Sequence, residues 1–239
     1  MKMEEIILVG TVHVDIKGPE RLRKILEIER PDVITIECAK EYFDNYIEFK
    51  NYLDKKKLML KYATRKIEFT SFNQTQILEF NKETLMKFFS ITYFEIITVK
   101  EYVENNNVKI VCVDKQKYVD EVHKTLNKNL KKGISSNFSI FPPSVFKMSL
   151  EYFQKFIDGY YSDESQYKKN ISKEDPSKLL DRNKHSVDEI LKIKAKKILH
   201  VGGVNHIYNN SPNMYELLQE KGKRVRRIKL IDVDDIENE

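Results

Sequence analysis

Ile6-Ile7-Leu8-Val9-Gly10-Thr11-Val12-His13 and, near the other end of the chain, Ile198-Leu199-His200-Val201-Gly202-Gly203-Val204-Asn205-His206 follow one plan. Each is a short apolar run, then glycine, then a histidine three residues past a glycine. Apolar runs of this length, rich in Ile and Val, are what a strand buried on both faces requires. Two further runs belong with them. Val33-Ile34-Thr35-Ile36 leads into Glu37, and Val108 to Val113 ends at Asp114.

The segments between these runs read as helices. Pro19 stands where an early helical residue belongs, and Leu22, Ile25 and Leu26 follow at helical spacing before Arg30-Pro31 stops the pattern. The result is a β-α-β unit, whose crossover should be right-handed. Near the far end Ser211 is placed as an N-cap with Pro212 in the first turn. Met214, Leu217 and Leu218 face inward, and Gly222 closes that helix before a strand around Val225 to Ile231. The basic run Lys221 to Lys229 reads as an edge strand whose charges guard it against edge-to-edge pairing.

The predicted fold is α/β: a mostly parallel central sheet built from both ends of the chain, with a long helical insertion forming a cap. Residues 1–239 make one composite domain, with 40–105 and 115–195 as helical, aromatic-rich insertions within it. The second insertion is interrupted at Lys132-Gly133 and Phe141-Pro142-Pro143, and Tyr160 to Pro176 reads as a polar loop.

Composition narrows the function. Charged residues are 33% of the chain, but both signs are interleaved and the net charge is only +5, so a solvated surface is expected rather than a nucleic-acid face. Two cysteines, Cys38 and Cys112, exclude a disulfide scaffold and fit core thiols in a reducing compartment. There is no secretory h-region and no window near the roughly 20 apolar residues of a membrane span. A cytoplasmic protein is expected, with homo-oligomerisation left open.

In an open parallel sheet, ligands bind beyond the carboxyl ends of the strands. His13, Glu37, Asp114 and His206 all fall at that edge. Glycine lets the chain turn off the strand and lets a ligand approach the backbone. Two histidines and a carboxylate suit a divalent metal such as Zn, Mn or Co, with open positions for water. The same residues with Arg182 also suit a metal-free acid–base site. Arg182 is placed to neutralise an oxyanion or a substrate carboxylate. His200 reads as a core residue, and His123 and His185 as surface ones. Neither turn has dinucleotide-fingerprint spacing, and no Ser or Cys sits in a nucleophile elbow.

Leu8-Val9-Gly10-Thr11-Val12-His13-Val14, followed by Arg30-Pro31-Asp32 and the strand into Glu37, resembles the opening of the TraB/PrgY (pheromone shutdown) family. That family is related to the Tiki metalloproteases and to the erythromycin esterase and ChaN groups. Val201-Gly202-Gly203-Val204-Asn205-His206 resembles its second Gly-x-x-His. Asp181-Arg182-Asn183, read as opening a helix, resembles its acidic-Arg-Asp signature, and Val111 to Lys115 its Asp-Arg strand end. The resemblance implies a metal-dependent hydrolase, peptidase-like in the Tiki members, with His13 and His206 at the metal. The sequence departs from the family at Lys115 and Asn183, and it carries no counterpart of the C-terminal membrane segments of many relatives.

Two functions follow as expectations. The first is hydrolysis of peptide or amide bonds, with His13, Glu37 and His206 holding a metal and Glu37, Asp114 and Arg182 in catalytic roles. The second is sequestration of a peptide, a tetrapyrrole or another small signal in the same cleft, without turnover.

Overall fold

A computed structural model describes residues 5–41, 43–44, 67–69, 76–78, 94–115, 149–165, 176–208 and 212–236. Five strands form one all-parallel sheet: β1 (Glu5–Thr11), β2 (Val33–Ile36), β5 (Lys109–Cys112), β6 (Lys197–Gly203) and β7 (Arg224–Lys229), in the order β5-β2-β6-β1-β7. The centre is therefore built from the two ends of the chain. β1 lies between β6 and β7, with Glu5 opposite both Lys197 and Arg224.

Helices cover both faces, and the pleat explains the composition of the strands. Ile7, Val9, Ile34, Ile36, Leu199 and Val201 point into one core cluster. Ile6, Leu8 and Ile198 point into the other. The first cluster is closed by α1 (Gly18–Glu29), α2 (Phe94–Asn106) and α3 (Leu150–Ser162). The second is closed by α4 (Pro176–Leu191), the short α5 (Val204–Tyr208) and α6 (Met214–Glu220).

Local chemistry sets the helix ends. α1 buries Leu22, Ile25 and Leu26 and stops at Arg30, whose φ of 47 is left-handed, because the following Pro31 disfavours continued helix. α3 starts at Ser149, whose hydroxyl accepts from the Tyr152 N–H. The cap of α6 is Asn213 and not Ser211, which lies outside the described residues. Asn213 and Glu216 cap each other reciprocally, and this two-way bond outweighs a lone serine.

The two insertions are not wholly cap. Both end in helices, α2 and α4, that cover the sheet itself, and α3 packs into the first core. Within the stretch read as helical, β3 (Ile67–Phe69) and β4 (Gln76–Leu78) pair antiparallel. The expected loop from Tyr160 begins instead as the last turn of α3, since Tyr161 is fully buried there. Most of the remainder of both insertions, with His123 and the Lys132-Gly133 and Phe141-Pro142-Pro143 breaks, lies outside the described residues. No helix among the described residues is long and apolar enough to cross a membrane.

Candidate functional site

Neighbouring strands β1 and β6 send the chain to opposite faces of the sheet, into α1 and into α5 and α6 respectively. This is what two right-handed crossovers running in opposite directions require, and it opens a crevice between the two carboxyl ends. His13 and His206 stand at that crevice. In the β1–β6 register, Gly10 is opposite Gly202 and Thr11 is opposite Gly203.

Gly203 is the floor of the site. A Cβ there would lie 3.4 Å from His13 Nε2, 3.5 Å from Glu37 Oε2 and 3.6 Å from His206 Cδ2, so three candidate residues surround one point. The backbone approaches so closely that the Gly203 N–H donates to Glu37 Oε2 at 2.6 Å. The preceding Gly202 is equally constrained. A Cβ on it would meet His200 Nε2 at 2.7 Å.

Each histidine is held from behind. His13 Nδ1 donates to Glu95 Oε1 at 2.7 Å, and the Thr11 hydroxyl donates to the same oxygen at 2.6 Å. His206 Nδ1 donates to Asn183 Oδ1 at 2.6 Å, and Asn183 Nδ2 donates onward to the Pro212 carbonyl, which fixes the amide orientation. Both Nε2 atoms are thereby turned toward the crevice, and His206 Nε2 meets Glu37 Oε1 at 3.0 Å.

Glu37 and Asp114 are joined by Arg182. Its Nη2 donates to Glu37 Oε1 at 2.8 Å and to Asp114 Oδ2 at 2.7 Å. The next residues form a second pair, Lys115 Nζ to Asp181 Oδ2 at 2.9 Å. The departure at Lys115 thus pairs with the acidic member of the helix motif, and Asn183, the other departure, holds His206. Asp181-Arg182-Asn183 lies inside α4 and does not open it.

Charge follows geometry. Burial opposes ionisation of Glu37, but His206, Arg182 and His13 override it and hold the carboxyl well below its usual range. Partial loss of solvent around His13 works against its charge, and the Glu95 carboxylate, aided by Glu37, overcomes it and raises the ring to about 9. His200, fully buried and bonded through Nδ1 to the Thr35 hydroxyl at 3.0 Å, is pushed by burial down to about 4 and is a neutral core group.

A second polar cluster fixes the loop that carries His13. The Val12 N–H donates to the Tyr161 hydroxyl at 2.8 Å, which donates to Asp15 Oδ2 at 3.3 Å. Asp15 also accepts from Arg21 Nη1 at 2.9 Å and Gln154 Nε2 at 3.0 Å. Glu95 and Tyr161 had no signal in the sequence, because each sits in an insertion with no motif around it.

A metal can be tested against this donor set. Two imidazole nitrogens and a carboxylate are the right chemistry for Zn, Mn or Co, and imidazoles held at their other nitrogen are typical of metal ligands. Gly203 leaves the cradle that a side chain would fill. As the side chains stand, no group of three His, Cys, Asp or Glu among the described residues is drawn together for an ion, since Glu37 is engaged by Arg182 and His206. The residues fit in kind and orientation, provided an ion replaces the proton shared by His206 and Glu37.

On the Asp114 side the cluster borders a cavity of about 590 Å³, lined also by Lys40, Cys112 and His185. Comparison of the chain with models of protein families, with curated proteins and with solved structures finds no match.

Proposed function

We propose that the chain is a metal-dependent hydrolase of peptide or amide bonds, in the manner of the TraB/PrgY and Tiki proteins it resembles. One observation carries this reading: two histidines from opposite ends of the chain, each locked at Nδ1, turn toward a single glycine-floored point beside Glu37. His13, His206 and Glu37 would hold the ion, which when bound supplies a water of lowered pKa. Glu95 and Asn183 orient the two rings. Arg182, itself a quarter exposed, sets Glu37 and offers its guanidinium to negative charge developing on a substrate carbonyl. Asp114 holds Arg182 in that position.

A second reading is favoured by a different observation. Both Glu37 oxygens already accept hydrogen bonds, from His206 and Arg182 on one and Gly203 N–H on the other. A cleft so satisfied also suits a protein that sequesters a peptide, a tetrapyrrole or another small signal.

Thermal melts of chelator-free protein with added Mn, Zn or Co separate the two. An ion bound to the folded state alone at 100 times its Kd adds about 2.7 kcal/mol. The hydrolase reading expects that rise in wild type, its loss in His13→Ala, and amidase turnover that follows it. No rise with any of the three ions, together with a tightly co-purifying organic ligand, would overturn it in favour of sequestration.

A further inference from the structure

We propose that Cys38 and Cys112 are a reversible disulfide site at the rim of the cleft, oxidised by small-molecule disulfides such as glutathione disulfide. Their Sγ atoms are 3.4 Å apart, with the Cys38 S–H donating to Cys112. Cys112 is the last residue of β5 and stands opposite Ile36 on β2, two residues before Cys38. The two segments are already tied by backbone, since the Asp114 N–H donates to the Cys38 carbonyl at 3.2 Å. Closing to the roughly 2.05 Å of an S–S bond is a side-chain adjustment between the end of β5 and the bend after β2, which these backbone bonds hold together.

Access differs between the two sulfurs. Cys112 is partly exposed and lines the 590 Å³ cavity, whereas Cys38 is 4% exposed. Cys112 is therefore the entry sulfur and Cys38 the resolving one, and the chain has no third cysteine to compete. Cys112 loses its proton to water and attacks one sulfur of glutathione disulfide. That S–S bond breaks, and one glutathione leaves as thiolate. Cys38, losing its proton in turn, attacks Cys112 Sγ and expels the second glutathione. The two protein thiols are oxidised by two electrons, and one glutathione disulfide is reduced to two thiols.

The link would join the segment carrying Glu37 to the segment carrying Asp114, the two carboxylates that Arg182 bridges. Any effect on hydrolysis rests on the proposed function; the disulfide itself does not. In reducing compartments such pairs are transient sensors and not scaffolds.

The full chain is equilibrated in glutathione buffers of rising oxidised fraction, quenched with excess N-ethylmaleimide, and mapped by peptide mass. The expected result is one intramolecular Cys38–Cys112 link, lighter by two hydrogens and reversed by dithiothreitol. Cys38→Ser should instead retain one glutathione on Cys112, and Cys112→Ser should stay unmodified. Two alkylated thiols in wild type at every ratio would overturn the proposal. So would glutathione retained on wild-type Cys112 without a link, or a link formed only between chains. The mass readout needs neither substrate nor metal, so loss of the hydrolase reading leaves it intact.

Discussion

At the end of β1 the chain bends through a loop, and His13 emerges with its side chain 47% exposed against a buried carboxylate. At the end of β6 it passes straight into α5, and His206 is 10% exposed against the neutral amide of Asn183. Both turns read Gly-x-x-His, yet Gly203 stands opposite Thr11 and not opposite Gly10. The spacing delivers a histidine to the crevice; the group behind the ring decides how it is held. An anion behind His13 raises that ring to about 9, whereas a carbonyl oxygen behind His206 orients its ring so that Nε2 meets Glu37.

The largest effect on this comparison should come from Glu37, which His206 contacts directly and whose charge acts on His13. Glu37→Ala should cost about 3 kcal/mol in urea unfolding, the lower end for breaking a buried ion pair, because Arg182 is partly solvated and keeps Asp114. Metal-induced stabilisation should vanish with it. A loss under about 1 kcal/mol would show that the two turns stand without their shared carboxylate.

Next come the histidines themselves. His206→Ala should lower metal-free stability by roughly 1–3 kcal/mol, since Asn183 and Glu37 lose a buried partner. His13→Ala should cost less than about 1 kcal/mol, because its pairing is half in solvent. Equal losses in a parallel denaturation series would erase the contrast.

The charge on His13 can be read by pH. His13 has a folded value of about 9, raised from 6.5. Its protonated form stabilises the fold fully below pH 6.5, and that contribution is lost as pH rises through about 9. Glu95→Gln should bring the ring down toward its ordinary value, followed by NMR titration. Wild type and variant should then converge in stability at alkaline pH. An unmoved His13 titration would remove Glu95 from its role.

Tyr161 should matter less than Glu37 or His206. Tyr161→Phe strips the acceptor from the Val12 N–H and should cost about 1 kcal/mol, with metal affinity weakened and not abolished. Unchanged stability and unchanged affinity together would show that the His13 loop holds its shape alone.

What the sequence made legible was periodic or terminal. Apolar strands of four to seven residues, Arg30-Pro31 after α1 and the edge charges of β7 announce themselves locally. His13, Glu37, Asp114 and His206 could be grouped because each directly ends or follows a strand. Glu95 and Tyr161 could not, for a carboxylate in the first turn of a helix reads as a solvated charge. Only the packing of α2 against α1 and of α3 into the first core brings them to the His13 loop. The Asn213 cap was hidden for a similar reason, because Ser211 offers the same local signal and only the reciprocal Glu216 contact decides between them.

The place of β1 in the sheet has a consequence for how the molecule is made. This strand is synthesised well before its two neighbours, β6 and β7, since Glu5 stands opposite Lys197 and Arg224. A ribosome would extrude everything between Thr11 and Lys197 before this strand could pair on either side. Contacts of such sequence separation fold slowly, because the loop entropy is lost before any pairing offsets it. Until then Ile6, Ile7, Leu8 and Val9 remain an unpaired apolar segment, a target for chaperones and a seed for aggregation. Pairing of β1 with β6 also brings His13 to Gly203, so assembly of the crevice and completion of the sheet are one kinetic event.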